Sequence, residues 1–193
     1  APGPDNLMVL GQSLARGRWA GFGLAVGCAL GCFTHTLWAT LGLSAVLLAS
    51  PKAFFALKLL GAAYLVWLGI NALKSSRGPV VTAGGQAAAL PWWRYMLRGF
   101  IANAINPKEA LFFLAFLPQF VRPEAGSSAL QMMVLGLVFA LQTVLVFGAI
   151  ALAAGSIGRY LARRPLAGVW LDRLAGMIFI GLAINLVVNE GTD

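Results

Sequence analysis

Side chains that do chemistry in water are scarce in this chain. Of its 193 residues only six are acidic, one is histidine and two are cysteine. Hydrolysis or group transfer needs a nucleophile beside a base, or convergent acids and bases, and no such constellation stands out. A phosphate loop of the Gly-x-x-x-x-Gly-Lys-Ser/Thr type is missing, so the chain does not hydrolyse ATP. There is no Cys-x-x-Cys pair and no second histidine. Charge of any sign is thin, at 10% of residues against about 25% in a typical soluble domain. The chain therefore reads as a non-enzyme without a cofactor.

What fills the sequence instead is apolar. Hydrophobic residues make up 60% and mean hydropathy is +0.82, the composition of an integral membrane protein. The formal net charge of +8 would suggest nucleic acid in a soluble domain. Here the basic residues sit between apolar spans, where they act as topology signals and meet anionic membrane lipid. No nucleic-acid partner is expected. The chain opens at Ala1 without a methionine and runs at once into Pro2-Gly3-Pro4, so an upstream segment is expected to be missing.

The apolar runs give a count. The first, from Gly3 to Gly11 and ending at Arg16-Gly17-Arg18, is too short to cross and reads as the second half of a truncated first helix. Further spans are expected at 20–49, 53–73, 99–120, 129–157 and 166–188, each near or above the roughly 20 residues that a crossing needs. Residues 74–90, with Ser75-Ser76, Gly78-Pro79 and Gly84-Gly85, read as a flexible linker, and Trp92-Trp93 suit a membrane interface. The expected fold is an all-α integral membrane bundle of six helices in a single transmembrane domain. It divides into repeat one (1–73), a linker (74–94) and repeat two (95–193).

The fourth span carries an anomaly. Within its apolar run, Asn106-Pro107-Lys108-Glu109 interrupts the helix with two charges. Asn106 fits an N-cap, Pro107 the first helical residue, and Glu109 the third residue of a capping box. A half-helix would then begin inside the membrane, its positive dipole end and unpaired N–H groups forming an anion seat. A packed proline kink explains Pro107 but not the charges, and ionisable residues at such depth usually serve function.

An internal repeat echoes the break. Gly3-Pro4-Asp5-Asn6 matches Asn106-Pro107-Lys108-Glu109 as cap, proline, charge and polar residue. Lys58-Leu59-Leu60-Gly61 parallels Arg173-Leu174-Ala175-Gly176, and Leu68-Gly69-Ile70-Asn71 parallels Leu182-Ala183-Ile184-Asn185. Halves with an odd number of spans must be inverted, and inverted repeats with broken helices are the architecture of secondary transporters. Asp5 lies 11 residues before Arg16 (16 − 5) and Lys108 lies 10 after Arg98 (108 − 98). At about 1.5 Å per residue both fall roughly 15 Å from one boundary, half of a ~30 Å core. Asp5 and Lys108 either neutralise each other as a buried pair or receive a zwitterion, carboxylate to the N–H groups and Lys108, amine to Asp5.

These residues carry a family resemblance. Pro2-Gly3-Pro4-Asp5-Asn6, Asn103-x-x-Asn106-Pro107-Lys108-x-Ala110-Leu111-Phe112-Phe113 and Phe116-Leu117-Pro118-Gln119-Phe120 resemble the LysE/RhtB family of small bacterial amino acid exporters. Gly42-Leu43-Ser44 and Leu60-Gly61-Ala62-Ala63-Tyr64-Leu65-x-Trp67-Leu68-Gly69 are similar to its second and third helices. The resemblance covers nearly the whole chain. It implies a multi-pass protein of the bacterial cytoplasmic membrane that exports homoserine, threonine, leucine or related amino acids, driven by proton influx. A homo-oligomer is left open.

The substrate-binding or proton-coupling residues are thus expected to be Pro4, Asp5, Asn6, His35, Asn106, Pro107, Lys108 and Glu109. Asp5 would carry proton coupling or amine recognition. Leu7, Met8, Phe112, Phe113 and Leu114 surround the seat, and Glu109 would be engaged by its own helix end. On that count a small neutral amino acid fits better than lysine or arginine. Gly23, Gly27 and Gly31 give the second span a smooth face for close helix packing. Cys28, Cys32 and His35 share another face. The alternative reading takes those three as the donors of a heavy-metal exporter or a thiol-redox carrier, although membrane cysteines more often act as small apolar fillers. His35 is either a proton-sensitive group or a hydrogen-bonded packing residue. Gln131, Gln142 and Thr143 either line a pathway or bond to neighbouring helices.

Charge bias orients the bundle. Arg16, Arg18, Lys74, Arg77, Arg94, Arg98, Arg159, Arg163, Arg164 and Arg173 fall on one side of a six-span threading, and Lys52, Lys58 and Arg122 on the other. The richer side should be cytoplasmic, with both termini outside. In a background lacking Cys28 and Cys32, a cysteine near Ser50 should react with an impermeant maleimide from outside in intact cells. One near Ser75 should react only in inverted vesicles, and the reverse pattern refutes this orientation.

Overall fold

The structure is a computed structural model and describes residues 3–49, 51–74, 90–163 and 165–188. Ser50, Ser75 and most of the expected linker lie outside the described residues. Seven α-helices run in order: α1 (Pro4–Arg16), α2 (Arg18–Ala49), α3 (Pro51–Lys74), α4 (Trp92–Ala104), α5 (Pro107–Phe116), α6 (Ser128–Arg163) and α7 (Pro165–Val188). Two 3-10 turns, Leu117–Phe120 and Pro123–Ala125, separate α5 from α6. Among the described residues there is no strand.

Two stretches, Arg18–Gly42 and Ser128–Tyr160, are long and apolar enough to cross a membrane. The segments Trp92–Ala104 and Pro107–Phe120, bent by 58°, make a third span if taken as one broken crossing. The helix after the linker starts earlier than the sequence suggested. Trp92 and Trp93, read as interface residues of the linker, form the first turn of α4, capped by Pro91 in extended conformation. Proline there fixes φ and needs no N–H, so it opens the helix at no cost to the ladder.

Helix α1 folds back on α2 across a single residue. Gly17 adopts φ 90°, which a side chain would resist, and its N–H bonds the Ser13 carbonyl. Behind this turn Gly21 sits against the Ser13 side chain. Helices α2 and α4 then run side by side in the same direction. A Cβ built on Gly23 would meet Trp92 and Tyr95, one on Gly27 would meet the Met96 carbonyl, and one on Gly31 would meet the side chain of Asn103. Gly99 of α4 answers with its own close approach to the backbone of Leu24. The expected smooth glycine face is therefore the α2–α4 seam, where backbones can approach because no side chain intervenes.

Helix α6 packs on α2 in the opposite sense, Gly136 against Thr36 and Gly148 against Phe22. Helices α3 and α7 pack mainly on each other and are also antiparallel, Gly69 meeting Gly176 and Ile180 while Ala62 and Leu65 cluster with Ala183. These contacts bring Arg18, Arg94 and Arg159 to one end of the α2–α4–α6 group and Lys74 and Arg173 to one end of the α3–α7 pair. The ends carry stacked cation–aromatic pairs, Arg18 on Trp19, Arg94 on Trp93 and Arg173 on Trp170. Large apolar side chains such as Leu145, Leu130, Val138, Leu166 and Trp170 are exposed on the outer faces, as suits a protein whose solvent there is lipid.

Helix α5 joins the two groups. Phe113 is fully buried in the core with Cys32, Ala39, Met132 and Ala140, while the adjacent Phe112 packs against Ala62, Leu65 and Ala183. Phe112 also contacts Phe116, Phe139 and Phe179. Gly27→Ala should therefore lower stability by about 1–3 kcal/mol through overpacking of the α2–α4 seam. Gly181→Ala, where a Cβ meets nothing within 4 Å, should be neutral. Thermal unfolding of the detergent-purified variants checks the contrast.

Candidate functional site

The break between α4 and α5 follows from one missing donor. In a continuous helix the carbonyl of Asn103 would accept from residue 107, but Pro107 has no N–H. The chain turns at Ile105, and the Asn103 carbonyl accepts instead from the N–H of Asn106 at 2.8 Å. Its second partner comes from another helix. His35 Nε2 lies 2.8 Å from the same oxygen, and since a carbonyl only accepts, Nε2 carries the hydrogen. His35 is 3% exposed, so this bond supplies a buried polar ring with the partner it needs. Of the two readings open for His35, the hydrogen-bonded packing role is the one the contacts describe.

Asn106 then caps α5, its side-chain oxygen accepting from the Lys108 N–H at 3.1 Å. The capping box expected of Glu109 does not form. The N–H that Glu109 would have reached belongs to Asn106 and is already held by the Asn103 carbonyl. Glu109 is thereby released from its helix end. Helix α1 starts in the same register, with Gly3 as cap, Pro4 first, Asp5 second and Asn6 third. There the third residue does reach back, Asn6 Oδ1 accepting from the Gly3 N–H.

Both starts open into one cavity of about 260 Å³. Gly3, Pro4, Asp5 and Asn6 line it from α1, Cys32 from α2, Asn103, Asn106, Lys108 and Glu109 from the break, and Phe139, Gln142, Thr143, Val146 and Phe147 from α6. Six of the eight residues singled out in the sequence thus meet around one space. Pro107 and His35 do not line it and act on its frame. Gln142 and Thr143 line it as expected, whereas Gln131 instead bonds Arg122 and Gly126 and closes the turn before α6.

Asn103 is the residue that sequence reasoning passed over. It was quoted only as part of a motif, yet its Nδ2 donates to Asp5 Oδ2 at 2.8 Å, and it is 2% exposed. Its Oδ1 is buried without a partner and rests against Gly31, where a Cβ would lie 2.6 Å from it. The signal available was the spacing, since residue i − 4 of a buried proline always loses its helical donor.

Of the two readings open for Asp5 and Lys108, a direct ion pair is not among the contacts of the described residues. Asp5, 4% exposed, is bonded by Asn103, while the Lys108 ammonium lies over the Phe179 ring, 5.8 Å from its centroid. That distance lies near the ~6 Å limit for a cation over an aromatic face. The sulfur of Cys32 lies 3.4 Å from the Cys28 carbonyl and 3.8 Å from Thr143 Oγ1, and Cys28 is fully buried. Among the described residues no three His, Cys, Asp or Glu side chains converge on a point that could hold a metal.

With the geometry in place, kinship can be judged. Residues 1–190 match the family described as LysE type translocator. The chain belongs to that family. It is similar to an uncharacterised membrane protein of Pseudomonas aeruginosa, 32% identical over 189 residues, or 96% of this chain and 87% of the relative. An uncharacterised membrane protein of Vibrio cholerae is 32% identical over 191 residues, 98% of this chain and 91% of the relative. The leucine efflux protein of Enterobacter sp. strain 638 is 28% identical over 187 residues, 96% of this chain and 87% of the relative. No solved structure matches. The chain is a translocator of that family and a membrane protein, not an enzyme.

The bond between Asn103 and Asp5 generates a measurable coupling. Asn103→Leu and Asp5→Ala should each destabilise the protein, and a double-mutant cycle should return about 1.5–3 kcal/mol, the range for a hydrogen bond to a charged group. Denaturation of the four proteins in detergent provides the test, and strictly additive losses contradict the bond.

Proposed function

We propose that this chain exports small neutral amino acids, such as homoserine, threonine or leucine, by proton-coupled secondary transport. The observation that carries the reading is the cavity itself, where two helix N-termini of identical register bring Asp5 and Lys108 to one space. A zwitterion fits that arrangement. Its ammonium goes to the Asp5 carboxylate, which Asn103 holds in place, and its carboxylate to the positive end of α5. Lys108 joins the carboxylate by leaving the Phe179 ring, an exchange of a cation–aromatic contact for a stronger charge pair.

Depth supports the same reading. Gly31, which packs on Asn103, is 13 residues into α2 (31 − 18), about 20 Å along a helix that is long enough to cross. Substrate sites of transporters built from inverted repeats with broken helices lie near the membrane centre. The match of the α1 and α5 starts and the antiparallel α3–α7 pair are what such repeats, six-span and pseudo-twofold, would require. The side chain of the substrate would face Phe139, Val146 and Phe147, an apolar wall suited to leucine or threonine. A relative's name points the same way, since it is called a leucine efflux protein.

Glu109 is not spent on its helix end, so the apolar α6 wall alone disfavours a second cationic group. The metal or thiol reading has less support, because His35 is committed to the Asn103 carbonyl and Cys28 is sealed in the core.

Inverted vesicles loaded by a proton gradient should accumulate leucine, threonine or homoserine, and Asp5→Asn should abolish the accumulation while the protein stays in the membrane. Simple amines should compete poorly with the favoured amino acid, since they lack the carboxylate. Wild-type accumulation by Asp5→Asn refutes the role of Asp5, and equal competition by an amine refutes the carboxylate seat.

A further inference from the structure

The cavity holds one more charge than a zwitterion uses. Asp5 and Glu109 contribute two carboxyl groups and Lys108 one ammonium, the last turned toward Phe179. A carboxylate in a membrane interior is costly unless a proton or a cation sits beside it. Two features separate the carboxylates. Asp5 is nine-tenths buried and tied by Asn103, whose other amide atom, Oδ1, is buried and still lacks a donor. Glu109 is only half-buried, lines the cavity from the opposite helix start, and is not fixed as a cap because the Asn103 carbonyl already holds the Asn106 N–H.

We infer that Glu109 is the proton site of the transport cycle, and that a proton on Glu109 and the ammonium of the substrate compete for the same cavity. With the proton bound, the Glu109 carboxyl is neutral and needs no cation beside it. When substrate arrives, its ammonium settles between the carboxylates of Asp5 and Glu109. The proton leaves from Glu109 to water, and no bond other than that O–H is broken. Net export then follows from occupying the site alternately with amino acid on the way out and proton on the way in. This inference rests on the export reading and divides the labour within it, amine recognition to Asp5 and coupling to Glu109.

The surroundings of Glu109 contain few rivals for the proton. The titratable or charged groups that line the cavity with it are Asp5 on α1, Cys32 on α2 and Lys108 on its own helix. The wall from α6 consists of Phe139, Gln142, Thr143, Val146 and Phe147, none of which titrates in the physiological range. Cys32 is engaged with the Cys28 carbonyl and Thr143, and Asp5 with Asn103. Among the described residues, no hydrogen bond ties down the Glu109 carboxylate.

The test uses purified, detergent-solubilised protein and its reconstituted vesicles, with leucine, threonine and homoserine as probes. Adding the bound amino acid to weakly buffered wild-type protein should release about one proton per site, read by a pH dye, and its Kd should fall about tenfold per pH unit while that proton is being displaced. Glu109→Gln should bind more weakly, release no proton and lose the pH dependence. In vesicles it should still exchange labelled for unlabelled substrate but fail to concentrate it against a proton gradient. Glu109→Asp should recover proton release and uphill transport in part. Wild-type binding that is independent of pH and releases no proton overturns the inference, whatever the fate of the variants. Uphill transport by Glu109→Gln at the wild-type level overturns it too. If wild-type protein neither binds nor moves any of the three amino acids, the export reading falls and takes this inference with it. That outcome is distinct from transport that proceeds without Glu109.

Discussion

The carbonyl of Asn103 is the group on which the rest of the site depends. Pro107 removes its helical donor, and a buried carbonyl left unpaired would cost about 1–3 kcal/mol. The chain meets that cost with the N–H of Asn106 and the ring of His35. Each repair has a consequence elsewhere. Taking the Asn106 N–H closes the α4–α5 turn and releases Glu109 from capping. Taking His35 Nε2 clamps the break to α2 at the level where Gly31 makes room for the Asn103 side chain. That side chain, so placed, reaches Asp5. A single proline thus organises residues from α1, α2, α4 and α5 around one cavity.

This chain of causes explains how much was legible beforehand. The positions of Pro4 and Pro107 at helix starts follow from proline chemistry alone, and Asn106 as a cap follows from its side chain and place. The glycine spacing at 23, 27 and 31 announced a close seam, although not that α4 would fill it. Composition announced a membrane protein, and the motifs announced the LysE type family. Helix ends were less legible. Trp92 and Trp93 suit both an interface and a first helical turn, and only the extended Pro91 before them decides in favour of the helix.

What the sequence hid were competitions for a single partner. The capping-box pattern at Asn106 and Glu109 was sound as local chemistry, but a local pattern does not reveal that the Asn103 carbonyl has taken the N–H first. The pairing of Asp5 with Lys108 was sound as depth arithmetic, yet depth fixes level and not azimuth. Asn103 from α4 and Phe179 from α7 are the nearer partners. The cysteines show the same limit. Their spacing put them on one face with His35, and His35 was claimed by a carbonyl of another helix.

The aromatic packing of α5 decides how far a change at the cavity travels. Lys108 and Glu109 sit in the first turn, and Phe112 and Phe113 in the next. Phe113 is locked among residues of α2 and α6, with Phe139 at 4.8 Å and the His35 ring at 5.6 Å. Phe112 spans both groups, packing onto α3 and α7, where it meets Phe179 at 6.3 Å, and onto Phe139 of α6 at 5.8 Å. Phe179 is also the ring beneath the Lys108 ammonium. Withdrawing that ammonium removes a contact between α5 and α7, while the Phe113 side remains packed against the α2–α6 core. The α3–α7 pair meets the rest of the protein through α5, α2 and α6, so a change at the Lys108–Phe179 contact acts on one of its attachments. Charge at the cavity and the placement of that helix pair are therefore not independent, because the same aromatic ring serves both.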